Sequence, residues 1–143
     1  MISTRGRYAL RMMLDLSEHC AEGYVSLKDI AARQEISKKY LEQIALQLTQ
    51  AGLLHAARGH RGGYRLAKAP EEYTVGDILR LTEGSLAPVA CVEDGVENCP
   101  KAENCVTLTL WKDLNDAINS LVDHVTLADL VERSENMGDF YSI

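Results

Sequence analysis

Three of the four cysteines, Cys91, Cys99 and Cys105, fall in one short acidic stretch, with seven residues between the first two and five between the next two. Thiolate sulfur is a ligand for soft metals, and this spacing is not the paired C-x-x-C of a structural zinc site. A loop so spaced can wrap an iron–sulfur cluster, of the 2Fe-2S or the 4Fe-4S type, whose usual ligands are cysteine thiolates. A redox-sensing thiol set and a zinc site are the alternatives. Three thiolates leave one coordination position open. Glu93, Asp94, Glu97 and Glu103 are near in sequence, whereas His124 lies about five turns down a helical pattern and His19, His55 and His60 belong to the other half of the chain. The fourth ligand stays open. Cys20 stands apart and is expected as a small buried hydrophobe of the first helix.

A second set of residues has a different chemistry. Residues 1–70 carry 11 Lys and Arg against 6 Asp and Glu, and residues 71–143 carry 4 against 15, so a half of charge +5 is joined to a half of charge −11. The overall charge of −6 hides this split. A basic half suits phosphates, and it contains the run Arg58-Gly59-His60-Arg61-Gly62-Gly63-Tyr64. Glycine lets a backbone come close to a partner, and Arg58 or Arg61 suits a minor groove or a phosphate, with His60 between them.

These residues need elements to position them. Tyr8, Ala9, Met12, Met13 and Leu16 recur on one helical face, from which Arg5, Arg7 and Arg11 project away, and Gly23 ends the segment. Ser26-Leu27-Lys28-Asp29 has the pattern of a capping box, opening a short helix that is expected to bury Leu27, Ile30 and Ala31. After a break at Glu35-Ile36, Ser37 is a second N-cap, and Leu41, Ile44, Ala45 and Leu48 form an apolar stripe ended by Gly52. Two short helices around a tight turn are the helix-turn-helix pattern. The core face taken by that stripe leaves Lys38, Lys39, Tyr40, Glu42 and Gln43 outward, with the length and chemistry to reach base edges and phosphates. The period then changes, and residues 53–66 read as two short strands about the glycine-rich tip, a wing. Pro70 closes it, and Thr74-Val75-Gly76-Asp77 caps a further helix through Ile78, Leu79 and Leu81 to Gly84.

From Val106 the chain is again helical, with Trp111, Leu114, Ile118, Leu121 and Val125 advancing at coiled-coil spacing. This seam suits a homodimer, because a two-fold protein reads a palindromic site. Residues from Ser134 onward are expected to fray. The fold class is mainly α with a small β-hairpin: a winged helix-turn-helix domain plus a long dimerisation helix. The divisions expected are a DNA-binding domain over 1–84, a cysteine-bearing loop over 85–105, a dimerisation helix and C-terminal segment over 106–132, and a flexible tail over 133–143.

Other classes find little support. No run approaches the roughly 20 apolar residues that span a bilayer, so no membrane partner is expected. Met1-Ile2-Ser3-Thr4-Arg5 lacks the apolar region of a signal peptide, which points to the cytoplasm, where cysteines are free, metal-bound or redox-active. No phosphate-binding glycine loop, nucleophile elbow or Cys paired with a nearby His supports an enzyme. A thiol- or metal-handling enzyme is the weakest alternative.

Several stretches resemble the Rrf-two family of bacterial winged-helix regulators, in its cluster-binding, IscR- and NsrR-like branch. They are Ser3-Thr4-Arg5-Gly6-Arg7-Tyr8-Ala9-Leu10, Ile36-Ser37-Lys38-Lys39-Tyr40-Leu41-Glu42-Gln43, Arg58 to Tyr64, Tyr73-Thr74-Val75-Gly76-Asp77-Ile78, Cys105-Val106-Thr107 with Leu110-Trp111, and Thr126-Leu127-Ala128-Asp129-Leu130. The resemblance implies a homodimer that binds double-stranded operator DNA and senses iron–sulfur, nitric oxide, redox or cysteine status. It implies that Ser37, Lys39, Tyr40, Glu42 and Gln43 face the major groove and that Arg58 with its neighbours enters the minor groove. Glu42 accepts from cytosine N4 but repels phosphate, and in IscR-like members that glutamate is linked to cluster-dependent choice of site. Cys91, Cys99 and Cys105 match the family's cluster cysteines. Leu108 stands where IscR-like members have a histidine, and Tyr8 where NsrR-like members have an aspartate. A cluster-free regulator of thiol redox state or cysteine metabolism is the alternative within the family.

Overall fold

The computed structural model describes residues 1–93 and 104–142. The chain runs through α1 (Thr4–Glu18), a 3-10 turn at Cys20–Glu22, α2 (Leu27–Gln34), α3 (Lys38–Gln50), β1 (Leu54–Ala57), β2 (Gly63–Leu66), α4 (Val75–Glu83), α5 (Val106–His124) and α6 (Leu127–Ser142). This is the mainly helical, hairpin-bearing architecture expected of a winged helix-turn-helix.

Local chemistry sets the helix boundaries. The hydroxyls of Ser3, Ser26, Ser37 and Thr74 accept from the backbone N–H groups of Gly6, Asp29, Tyr40 and Asp77, each at 3.0–3.1 Å. Each satisfies an orphan donor of the first turn. At Thr74 the backbone N–H also donates to Asp77 Oδ2 at 3.0 Å, which completes a capping box. Among the described residues the Ser26 cap has only its serine half. Helix α3 ends in a Schellman motif: Gly52 N–H donates to Thr49 O, Leu53 N–H donates to Leu48 O, and Gly52 sits at φ +78°. The turn between α2 and α3 puts Glu35 at φ +55° and then buries Ile36.

The core gathers Ala9, Met12, Met13 and Leu16 from α1, Ile30 from α2, and Leu41, Ile44, Ala45 and Leu48 from α3. Leu54, Tyr73, Ile78 and Leu127 close it. The expected stripe on α3 is buried, and so is that on α1 apart from the half-buried Tyr8, while Ala31 is also only half-buried. Asp15 is 1% exposed within this apolar surrounding. Arg33 grips it with Nη2 at 2.7 Å and Nε at 3.0 Å, and Gln34 Nε2 donates at 3.0 Å. Burial alone would raise the Asp15 carboxyl, but these hydrogen bonds and the Arg33 charge outweigh it and hold the group below its usual range. The cluster pins α2 to α1.

The wing pairs Leu54 with Leu66 through Ala57 with Gly63. It is tied to the helical body by a bridge in which Val25 and Tyr64 exchange backbone hydrogen bonds at 2.8 Å. Gly63, at φ +147°, permits this: a Cβ there would lie 2.2 Å from Val25 O. Beneath the hairpin, the Tyr73 hydroxyl donates to Leu53 O at 2.6 Å and accepts from the Ala67 and Lys68 N–H groups.

Two further expectations are corrected. Helix α1 stops at Glu18, so Cys20 leaves its apolar face and is exposed in the 3-10 turn rather than buried. The stretch from Ser134, expected to fray, is helical through Ser142. After α5 the chain rejoins the head, where α6 packs with Leu127 fully buried in the core. The return is stitched: Val75 N–H donates to Val125 O, Leu127 N–H donates to Tyr73 O, and Thr74 bridges Thr126. Thr126 and Asp129 repeat the capping box of Thr74 and Asp77.

Candidate nucleic-acid interface

Helix α3 presents its outer face because its inner one is fully committed to the core. Lys38, Lys39, Glu42 and Gln43 are exposed, and Leu46, 58% exposed, follows Glu42 and Gln43 on the same face. Leu46 was not singled out in the sequence; its place outside the buried stripe was the available signal. Ser37 is exposed, but its hydroxyl is engaged in capping α3. Tyr40 is half-buried rather than free. Its ring meets Tyr8 edge-on at 5.6 Å and 81°, and the Arg11 guanidinium lies 5.4 Å over the Tyr8 ring. Arg11 also donates to the Gln34 side chain at 3.2 Å and to the Gln34 carbonyl. Tyr8, Arg11 and Gln34 thus bracket the turn that delivers α3.

The tip of the wing exposes Arg58, His60 and Arg61, and a turn in which Gly62 N–H donates to Gly59 O at 3.0 Å shapes it. At the start of α1, Arg7 is exposed and donates to Thr4 Oγ1. Arg5 is half-buried, and its Nε is enclosed without a hydrogen-bond partner among the described residues. Exposed cations on the α1 N-terminus, α3 and the wing tip suit phosphates, and the amide and carboxylate of α3 suit base edges.

The cysteine segment is less assembled. Cys91 is exposed within a 3-10 turn, Ala90–Val92, and Cys105 is half-buried as the N-cap of α5. The Thr107 hydroxyl, 3.3 Å from Cys105 Sγ, is the main cause lowering that thiol below its usual range, helped by the Leu108 backbone. Cys99, with Asp94, Glu97 and Glu103, lies outside the described residues. Val92 lines a small cavity with Asn115 and Asn119, and Asn115 is about 15 Å along α5 from Cys105 at 1.5 Å per residue. Among the described residues no three His, Cys, Asp or Glu side chains form a metal-holding group. The donor type fits a cluster, but Cys91 and Cys105 alone do not make the set.

The expected seam on α5 divides. Trp111, Ile118 and Val125 are half-buried, and Val125 follows the last helical residue, lining an apolar groove with Leu10, Val75, Leu121, Val122 and Leu130. Leu114 and Leu121 are 41% and 64% exposed, and Val106 and Leu110, 83% and 56% exposed, join them on one stripe. Those two were missed, because a pattern read one position around the helix favours the neighbouring face. No residue of α5 is buried. No helix of the described residues is long and apolar enough to cross a membrane.

Comparison with known proteins agrees with this geometry. Residues 2–133 match the Rrf2 family, described as an iron-dependent transcriptional regulator. The chain is 41% identical over 134 residues to the HTH-type transcriptional regulator IscR of Aliivibrio salmonicida, spanning 94% of this chain and 79% of that protein. Among solved structures it is similar to CymR, the global cysteine regulator of B. subtilis, with a TM-score of 0.79 and 39% identity over 93% of this chain and 97% of that one. IscR of T. potens has a TM-score of 0.78 and 39% identity over 96% and 90%. These relatives carry the names of regulators and not of enzymes. The chain belongs to the Rrf2 family and is a DNA-binding transcriptional regulator of the Rrf2/IscR type, built on a winged helix-turn-helix head.

Proposed function

We propose that the protein acts as a homodimer that reads a two-fold operator through α3 and the wing, and that Cys91, Cys99 and Cys105 hold an iron–sulfur cluster governing that reading. The observation that carries the DNA assignment is the outward face Lys39, Glu42 and Gln43 beside the exposed tip Arg58, His60 and Arg61. The dimer reading is supported by the uncovered stripe Val106, Leu110, Leu114 and Leu121. The cluster reading is supported by the thiol set and by the IscR relatives. When bound, such a cluster supplies a centre sensitive to oxidants and nitric oxide; Leu108 offers no side-chain ligand, so the fourth position falls to another group.

Anaerobic reconstitution with iron and sulfide, followed by absorption spectra and operator titrations of loaded and cluster-free protein, tests this. Visible bands lost on Cys→Ala substitution, with an affinity that differs between the two forms, are expected. A colourless, iron-free product sinks the cluster reading. A cluster-free thiol regulator is the second reading, favoured by the lowered Cys105 thiol and the likeness to CymR. It predicts that thiol oxidants alone change operator affinity.

A further inference from the structure

Helix α4 touches both the DNA-reading elements and the arm. At its C-terminal end, Gln47 Nε2 of α3 donates to Leu81 O at 3.0 Å. The Ser3 backbone N–H and hydroxyl, which open α1, donate to Glu83 Oε1 at 3.1 and 2.5 Å. On its other side Arg80 reaches α5: Nη1 donates to Asp123 Oδ1 at 2.5 Å, and Nη2 donates to Asn119 Oδ1 at 2.8 Å and Asp123 Oδ2 at 3.2 Å. Gly76, one turn earlier, makes room for the clasp, since a Cβ there would lie 2.4 Å from Asp123 Oδ1 and 2.6 Å from Arg80 Nη1. A larger residue at position 76 would therefore press on the Arg80 and Asp123 side-chain ends and displace the clasp itself.

We propose that Arg80 is a positioning residue that couples the α5 arm to the DNA-reading face, with α4 as the rigid link. One planar guanidinium bonding two residues a turn apart on α5 fixes that helix in rotation as well as in distance. A shift of α5 then moves α4, and with it the carbonyl of Leu81 that steadies α3 and the Glu83 carboxylate that holds the α1 N-terminus. Coupling is reciprocal, so what α5 does to DNA affinity, DNA must do to α5. The inference rests on the head-and-arm reading above but not on the cluster.

Hydrogen exchange on cluster-free, full-length protein tests it, with and without a saturating duplex selected by the wild-type protein from a random library. Binding is expected to slow exchange of the 119–124 amides about fivefold or more, in the range of ordinary couplings. In Arg80→Ala the same amides should slow less than about twofold although the duplex remains bound. Asp123→Asn, which keeps the side-chain volume, decides the matter if Arg80→Ala does not fold. Unchanged wild-type exchange on DNA binding, or full protection in the variant, overturns the proposal. The comparison of loaded with cluster-free protein judges the cluster separately.

Discussion

Helix α1 and helix α5 are built from similar proportions of apolar residues, yet they stand in opposite relations to the molecule. Over 15 residues α1 buries Ala9, Met12, Met13 and Leu16, whereas α5, with 19 residues, buries none. The first is held by a closed core in which even a carboxylate has its partners. The second is held by the clasp at its C-terminal end, by a half-buried flank, and by whatever covers Val106, Leu110, Leu114 and Leu121. Stability therefore resides in the head, and on the proposed dimer reading the arm's exposed apolar stripe serves association.

The largest effect expected from this contrast separates the two regions. Ile44→Ala should cost about 3 kcal/mol in urea unfolding, as a cavity in a packed core does. Leu110→Ala should leave protomer unfolding within about 0.5 kcal/mol while shifting the self-association equilibrium measured by sedimentation. Equal losses in both variants would erase the distinction.

Asp15→Asn follows, at about 2 kcal/mol near neutral pH, because the charge is lost and one of the two oxygens that accept from Arg33 and Gln34 becomes an NH2 donor, while Arg33, about a third exposed, regains some water. The Asp15 carboxyl is held below its usual value of 3.8 in the folded protein. Its contribution is therefore complete above that value and drains away as pH falls through the lower, folded one. Thermal melts in acid should show the wild-type advantage over Asp15→Asn shrinking below about pH 4; an advantage that grew in acid would contradict the assignment.

Arg58→Ala should weaken operator binding about tenfold and lower the salt slope by about one, with melting unchanged, because the wing tip carries no core. Equal affinity across a salt series would remove the tip from the interface. The smallest effect concerns caps. The other five α-helices of the described residues start at hydroxyl caps, whereas α5 opens on Cys105 without a side-chain cap bond. Cys105→Ser in cluster-free protein should raise stability by about 0.5 kcal/mol; a loss would mean that the thiol contacts matter more than the cap.

What was legible in the sequence was what neighbours in sequence decide. Ser26, Ser37 and Thr74 announce helices because a hydroxyl bonds a backbone amide three residues on, and Gly62-Gly63 announces the wing because few other residues fit there. The pairing of Asp15 with Arg33 spans 18 positions, and nothing in the local pattern selects that arginine over its neighbours. The burial of Leu127 and the outward turn of Cys20 likewise depend on where a helix stops or returns. The α3 and wing residues were singled out by type and order, but the enclosure of the Arg5 Nε and the bracing of Tyr40 by Tyr8 required the folded neighbours. Of the cysteine set, type and spacing were legible, whereas the assembly depends on a segment outside the described residues.

The stitch between Tyr73-Thr74-Val75 and Val125-Thr126-Leu127 has a consequence for how such a protein changes over generations. The start of α4 and the start of α6 lie side by side, sealed by backbone bonds and matched threonine–aspartate caps. A stretch with its ends held together gains or loses length at a cost that grows only slowly. The span between Gly84 and Leu121 is in that sense a cartridge. On the proposed sensing reading, residues of that span other than the clasped Asn119 can change in number and type while the paired starts of α4 and α6 stay as they are.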